Sequence, residues 1–169
     1  MTRIAMPSEY PILRVDSAVG FRLTPGLQEM MDEFPFAKQD FDALKCQISS
    51  DRRLLWVAKN PEKDAVGYIL CDPAVKHSKV MPGSGFYIVQ RFVDPCCRRM
   101  KICSRLVGIV SRYAREEMNK RSIFEEVSID NHSGINSSIA LGFVEFAQET
   151  RGKDIYSIRK KIVRRITSS

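Results

Sequence analysis

Residues 86–104 read FYIVQRFVDPCCRRMKICS and run into RLVGIVSRYAREEMNK at 105–120. The first part predicts an apolar strand, Phe86–Val93. Asp94-Pro95 stops it, because proline has no N–H for a ladder and restricts the residue before it. The last part predicts a long amphipathic helix, with Ile102, Leu106, Ile109, Val110, Tyr113 and Ala114 recurring at helical spacing. The turn between them carries Arg98, Arg99, Lys101 and Arg105. A strand that feeds a cationic turn at a helix N-terminus is a place for an anion. The first amides of a helix have no partner within it, and the helix dipole favours negative charge there.

Downstream, Ile123–Ile129 reads as a strand and Gly134–Ala140 as a short helix ended by Gly142. Phe143–Ala147 and Ile155–Ile162 read as two strands around TRGKD. Upstream, Ile12–Val15 and Phe21–Leu23 read as short strands around Gly20. Thr24 and Pro25 then open a helix through Leu27, Met30 and Met31. Asp40–Ile48 has helical period, and Leu54–Ala58 with Val66–Cys71 reads as an antiparallel hairpin across NPEKD. Residues 72–85 read as a loop. This order predicts an α/β fold of the α+β kind, with a mixed, mostly antiparallel central sheet and helices on both faces. The domain is expected over 11–163, between a flexible segment at 1–10 and a basic tail at 164–169.

The chain has 169 residues, 44% hydrophobic and 28% charged, with a net charge of +7. That excess favours an anionic partner. No apolar run is long enough to cross a bilayer, and MTRIAMPSEYPIL lacks the apolar stretch of a signal peptide, so a cytoplasmic location is expected. Cys46, Cys71, Cys96, Cys97 and Cys103 lack disulfide-framework spacing and are expected as reduced thiols. No metal site is expected, because adjacent cysteines without a C-x-x-C pair suit zinc poorly.

Val93-Asp94-Pro95, the basic turn and NHSGINSSIALGF (131–143) together resemble the GNAT family of N-acetyltransferases. There a strand ending V-x-P precedes a turn R/Q-x-x-G-x-G/A, a helix and a strand follow, and N-x-x-x-x-x-x-Y-x-x-x-G-F closes the pattern. Arg98 takes the first turn position, and Lys101 and Cys103 replace its two small residues. Asn131, Gly142 and Phe143 match the second motif, with Ser138 in place of its tyrosine.

The resemblance implies an acetyl-coenzyme A-dependent N-acetyltransferase that passes the acetyl group directly to an amine acceptor. Phe92 and Val93 would lend backbone groups to pantetheine in a gap where the strand ending at Val93 splays from the one beginning near Ile123. Arg98, Arg99, Met100, Lys101, Ile102, Cys103 and Ser104 would hold the phosphates, and Asn131 would lie near pantetheine. Ser138, Glu125 and Tyr87 are the candidate catalytic residues. Glu126 is weighed beside Glu125, since alternation along a strand puts one on each face. Two alternatives stay open: a GNAT-fold protein that binds acyl-coenzyme A without turnover, and, ranked lower, a basic nucleic-acid-binding module. No membrane partner is expected, and a homodimer stays open.

Overall fold

The computed structural model describes residues 10–33, 40–74 and 85–163. Among these, seven strands form one sheet: β1 (Ile12–Val15), β2 (Leu54–Lys59), β3 (Ala65–Asp72), β4 (Phe86–Val93), β5 (Ser122–Ser128), β6 (Val144–Arg151) and β7 (Asp154–Ile162). Their order is β1-β2-β3-β4-β5-β7-β6. The helices are α1 (Ala18–Arg22), α2 (Leu27–Asp32), α3 (Phe41–Ser49), α4 (Ile102–Glu116) and α5 (His132–Ala140). β1–β2, β2–β3, β5–β7 and β6–β7 pair antiparallel, and β4–β5 pairs parallel. This is the mixed, mostly antiparallel α/β fold read from the sequence.

The described residues fall into two compact units, one drawn from Met1–Cys71 with Gln90–Leu106 and the other from Asp72–Val89 with Val107–Ser169. In the first, β2 and β3 are apolar runs buried almost throughout, with Trp56, Tyr68 and Ile69 in the core. Two local readings are corrected there. Phe21–Leu23 is not a strand, because Ser17 caps a helix: its Oγ accepts from Gly20 N at 3.0 Å, and α1 buries Phe21. Nor does Thr24 open α2. Its hydroxyl donates back to Gly20 O at 2.8 Å, and α2 starts after Gly26 in a left-handed conformation, φ +73°. Met30 and Met31 are buried; Phe34, Phe36 and His77 lie outside the described residues, as do 1–9 and 164–169.

In the second unit, the β4–β5 ladder comprises Phe86↔Ile123, Tyr87↔Phe124 and Ile88↔Glu125. Beyond Glu125, β5 continues through Glu126, Val127 and Ser128, all three paired with β7. Alternation sorts its side chains to two faces. Helices α4 and α5 pack on the face of Ile123, Glu125 and Val127: Tyr113 meets Phe86 at 6.4 Å between ring centroids, and Gly134 lies against Val127. The other face carries Tyr87, Phe124 and Ile158, with Ala147 and Tyr156 packed on them. A bulge between Glu145 and Ala147 turns Phe146 to that face too, its ring edge-on to Phe124 at 5.8 Å.

Candidate active site

The cationic turn lies in the first unit. β4 ends at Val93, and Asp94 N donates to Val66 O on β3 at 3.0 Å. Asp94 then caps a single 3₁₀ turn, Pro95–Cys97, its carboxylate accepting from Cys96 N at 2.7 Å. Arg99 and Lys101 follow with φ +72° and +58°, the left-handed region that L-residues avoid by roughly 1–2 kcal/mol. Helix α4 starts at Ile102, and Arg105 N donates to Lys101 O at 3.0 Å. Among the described residues, none of the six successive amides from Arg99 to Ser104 donates a hydrogen bond.

The side chains around these amides are cationic or small. Arg98, Arg99, Lys101 and Ser104 are exposed, and Ile102, 2% exposed, anchors the helix start. Arg91 on β4 donates to Cys103 Sγ at 3.3 Å, and Phe92 stacks on Tyr68 at 6.3 Å between centroids. Gly67 lets β3 lie close beneath: a Cβ there would come within 3.1 Å of Phe92 O and 3.2 Å of Val93 Cγ2 and Ile102 Cγ2. So Phe92, Val93 and Arg98–Ser104, expected from sequence to act together, are brought together.

The remaining candidates lie in the second unit, on opposite faces. Asn131 caps α5, its Oδ1 accepting from Gly134 N at 2.9 Å. Ser138 on the same helix is fully buried and donates to Gly134 O at 2.9 Å. Glu125, 3% exposed, shares that face and stands in register with Arg159 on β7. Tyr87 lies on the other face, its ring 5.7 Å from that of Phe124. Burial pushes its hydroxyl pKa up; the Asp72 and Glu126 charges add to this, and a hydrogen bond with the Gly85 backbone opposes it. Burial likewise raises Tyr68, whose hydroxyl donates to Gln90 Oε1 at 3.3 Å, and Cys97, where Asp94 adds to the effect. Among the described residues, no group of three His, Cys, Asp or Glu side chains is placed to hold a metal ion.

The acetyltransferase (GNAT) family profile matches residues 24–143, most of the chain and the whole of the turn. The chain belongs to the GNAT family. Its fold is also that of solved GNAT enzymes. Ribosomal-protein-S5-alanine acetyltransferase from Vibrio fischeri is 13% identical and superposes with a TM-score of 0.69 over 92% of this chain and 93% of its own. A variant of spermidine N-acetyltransferase from Vibrio cholerae is 12% identical, with a TM-score of 0.68 over 92% and 94%. Nourseothricin acetyltransferase is 16% identical, with a TM-score of 0.57 over 68% of each chain. No curated protein matches. Against the GNAT turn pattern, Lys101 departs in side chain. It stands at a small-residue position and takes up the left-handed conformation that glycine adopts freely.

Sequence reasoning missed one cluster. Arg151 at the end of β6 donates through both terminal nitrogens to Glu126, at 2.8 and 2.9 Å, and through one of them to Glu149 at 2.6 Å. Its guanidinium lies 5.1 Å from the centre of the Tyr156 ring. Hydrogen bonding to Glu126 is the chief reason that its pKa is raised further.

Proposed function

We propose that this chain transfers an acetyl group from acetyl-coenzyme A directly to an amine. The observation that carries the reading is the row of amides from Arg99 to Ser104 that have no partner among the described residues, flanked by Arg98, Arg99 and Lys101 at the start of a 15-residue helix. Such donors suit a pyrophosphate, and they fit it without glycine because the backbone at 99 and 101 already turns left-handed. Backbone groups of Phe92 and Val93 would pair with pantetheine as a strand does.

In the reaction the amine nitrogen attacks the thioester carbonyl, an amide N–H near Val93 stabilises the oxyanion, and the C–S bond breaks to leave a thiolate. The amine gives up a proton and the thiolate gains one, so no enzyme nucleophile is needed. Tyr87 is carried as a candidate donor from the sequence alone; burial holds its proton more tightly than in an ordinary tyrosine, which makes it a weaker acid. Asn131, whose Oδ1 caps α5, is carried as a pantetheine contact on the GNAT pattern alone. Proton removal falls to Glu125 or to a water it holds; both oxygens of Glu126 are engaged by Arg151. A cytoplasmic location belongs to the same reading, supported by five cysteines present as thiols.

Binding without turnover is the second reading. It is favoured by Ser138, which stands where the GNAT pattern has tyrosine and commits its hydroxyl to Gly134 O inside the core. Release of thiol from acetyl-coenzyme A in the presence of an amine panel separates the two: turnover supports transfer, and coenzyme A binding without turnover supports the second. Ser104→Glu tests the site itself. A carboxylate in the first helical turn suits the dipole and keeps the fold, yet opposes a phosphate there. Coenzyme A affinity should fall about a hundredfold by calorimetry with the melting temperature maintained. Unchanged affinity places the phosphates elsewhere.

A further inference from the structure

Helix α4 turns a face of one charge sign to solvent. Residues 95–115 hold Arg98, Arg99, Lys101, Arg105, Arg112 and Arg115 and no Asp or Glu. The helix buries Ile102, Leu106, Val107, Val110 and Ala114 on one side. Lys101, Arg105, Gly108, Arg112 and Arg115 follow one another at intervals of four, three, four and three, so they form a single stripe on the other side. Lys101, Gly108 and Arg112 are exposed; Arg105 and Arg115 are half-buried. Arg115 pairs with Glu116, the first acid of the helix, and the stripe ends there. Two features of this face work against the helix. Cations stand four and three residues apart, and the first turn has no acid, although the dipole favours one. Gly108, inside the helix, is less favourable there than alanine, yet a Cβ at that position would meet nothing within 4 Å. Packing around it does not call for a glycine.

We propose that this face of α4 binds the phosphate backbone of a nucleic-acid duplex, with Arg112 as a phosphate contact and Gly108 leaving room for the backbone to approach. The function is separate from acetyl transfer and stands whether or not the chain turns over acetyl-coenzyme A. Both unfavourable features become favourable once a polyphosphate covers the face: the cations gain phosphates and release counterions, and the absent Cβ lets the two backbones come close. From Lys101 to Arg115 the stripe runs about 21 Å at 1.5 Å per residue, against one charge per about 1.7 Å of duplex axis. Arginine predominates in it, and its planar fork matches phosphate oxygens. Among the described residues, the exposed large apolar side chains lie off α4, and Tyr113 turns inward to Phe86. An acidic peptide would want apolar anchors, and a single strand would want exposed rings to stack on. This face offers neither, so a duplex backbone suits it best.

The probe is a labelled RNA duplex of about 20 base pairs and mixed sequence, titrated by fluorescence anisotropy with the full chain and with Arg112→Gln, Gly108→Leu and Arg22→Gln. Arg112→Gln should lose affinity about three- to tenfold and reduce the slope of log affinity against log salt by about one. Arg22→Gln removes the same charge from an exposed position on α1 and should change neither. Gly108→Leu should bind at least about fivefold more weakly while its melting temperature holds or rises, since leucine is the better helix former and the space is open. Absence of saturable binding by the parent overturns the proposal, as does parent-like binding by Gly108→Leu. Equal losses in Arg112→Gln and Arg22→Gln would reduce the binding to net charge and overturn it as well. Competition by polyglutamate that matches unlabelled duplex, charge for charge, reassigns the face to acidic proteins and overturns it too. Should Gly108→Leu fail to fold, Arg112→Gln set against Arg22→Gln decides alone. Coenzyme A should bind the variants as it binds the parent; a loss there would place the stripe within the coenzyme A site and sink the proposal.

Discussion

Lys101 offers the sharpest test of the turn. Its φ of +58° is one an L-residue adopts at a cost of roughly 1–2 kcal/mol, while glycine adopts it freely. Glycine gives back about 0.5–1 kcal/mol through its greater freedom in the unfolded chain. Lys101→Gly should therefore stabilise the protein by about 0.5–1 kcal/mol, whereas Lys101→Ala keeps a Cβ in the disfavoured region and should gain nothing. Urea unfolding of the three chains measures this as a shift in midpoint at constant slope. Both variants lose the same exposed cation, so coenzyme A affinity should fall in each by a similar factor, about three- to fivefold. The Gly–Ala contrast isolates the backbone, and the shared loss isolates the charge. Coincident unfolding of the Gly and Ala variants would mean that residue 101 is not left-handed in solution, and the arrangement of amides around it would have to be redrawn.

Two further outcomes follow from close packing and from buried hydroxyls. Gly67→Ala should cost about 1–3 kcal/mol and weaken coenzyme A binding, although residue 67 is on β3. Its new Cβ would push on Phe92 O, Val93 and Ile102 within 3.1–3.2 Å, and calorimetry showing unchanged affinity would count against that coupling. Tyr68 and Tyr87 hold their protons more tightly in the fold than in the unfolded chain. Their contribution is thus complete below the ordinary tyrosine pKa of 10.0 and is lost as the pH climbs above it. Unfolding free energy should drop as the pH rises above about 10, and Tyr68→Phe should flatten that drop while costing about 1–2 kcal/mol at neutral pH by orphaning Gln90 Oε1.

What the sequence disclosed depended on how local each signal was. The β2 to β5 strands are apolar runs between turn residues, and they form within a residue or two of where the pattern puts them. The turn was legible because Val93-Asp94-Pro95 and Ile102 bracket it, and both act locally. Asn131 shows a double meaning: its place in the GNAT pattern proposes it as a ligand, and its side chain caps α5, a signal that Asn before an apolar-periodic run carries by itself. Phe21–Leu23 has strand-like composition, but one serine hydroxyl at Ser17 decides for helix. That Tyr87 faces Glu126 rather than Glu125 needs the β4–β5 register, which no local rule supplies. The meeting of Arg151 with Glu126 needs still more: two ladders and a hairpin closure have to agree before residues 25 apart in sequence can touch.

The irregularity in β6 at Phe146 has an implication for which changes in length the chain can absorb. Residues past it keep their orientation only while their count to the Gly152-Lys153 turn is unchanged. Deleting Phe146 would leave a regular ladder with Glu149 and Arg151 still turned to Glu126, at the expense of one aromatic ring. Dropping any single residue from 147–150 would leave Arg151 beside the turn but turn the residues between the deletion and the kink to the opposite face, so that Glu149 or Ala147 is lost from the Tyr87 side. Viable length variants of this chain should therefore shorten at position 146 and stay constant from 147 to 151, so that one kinked peptide marks where the strand can be edited and where it cannot.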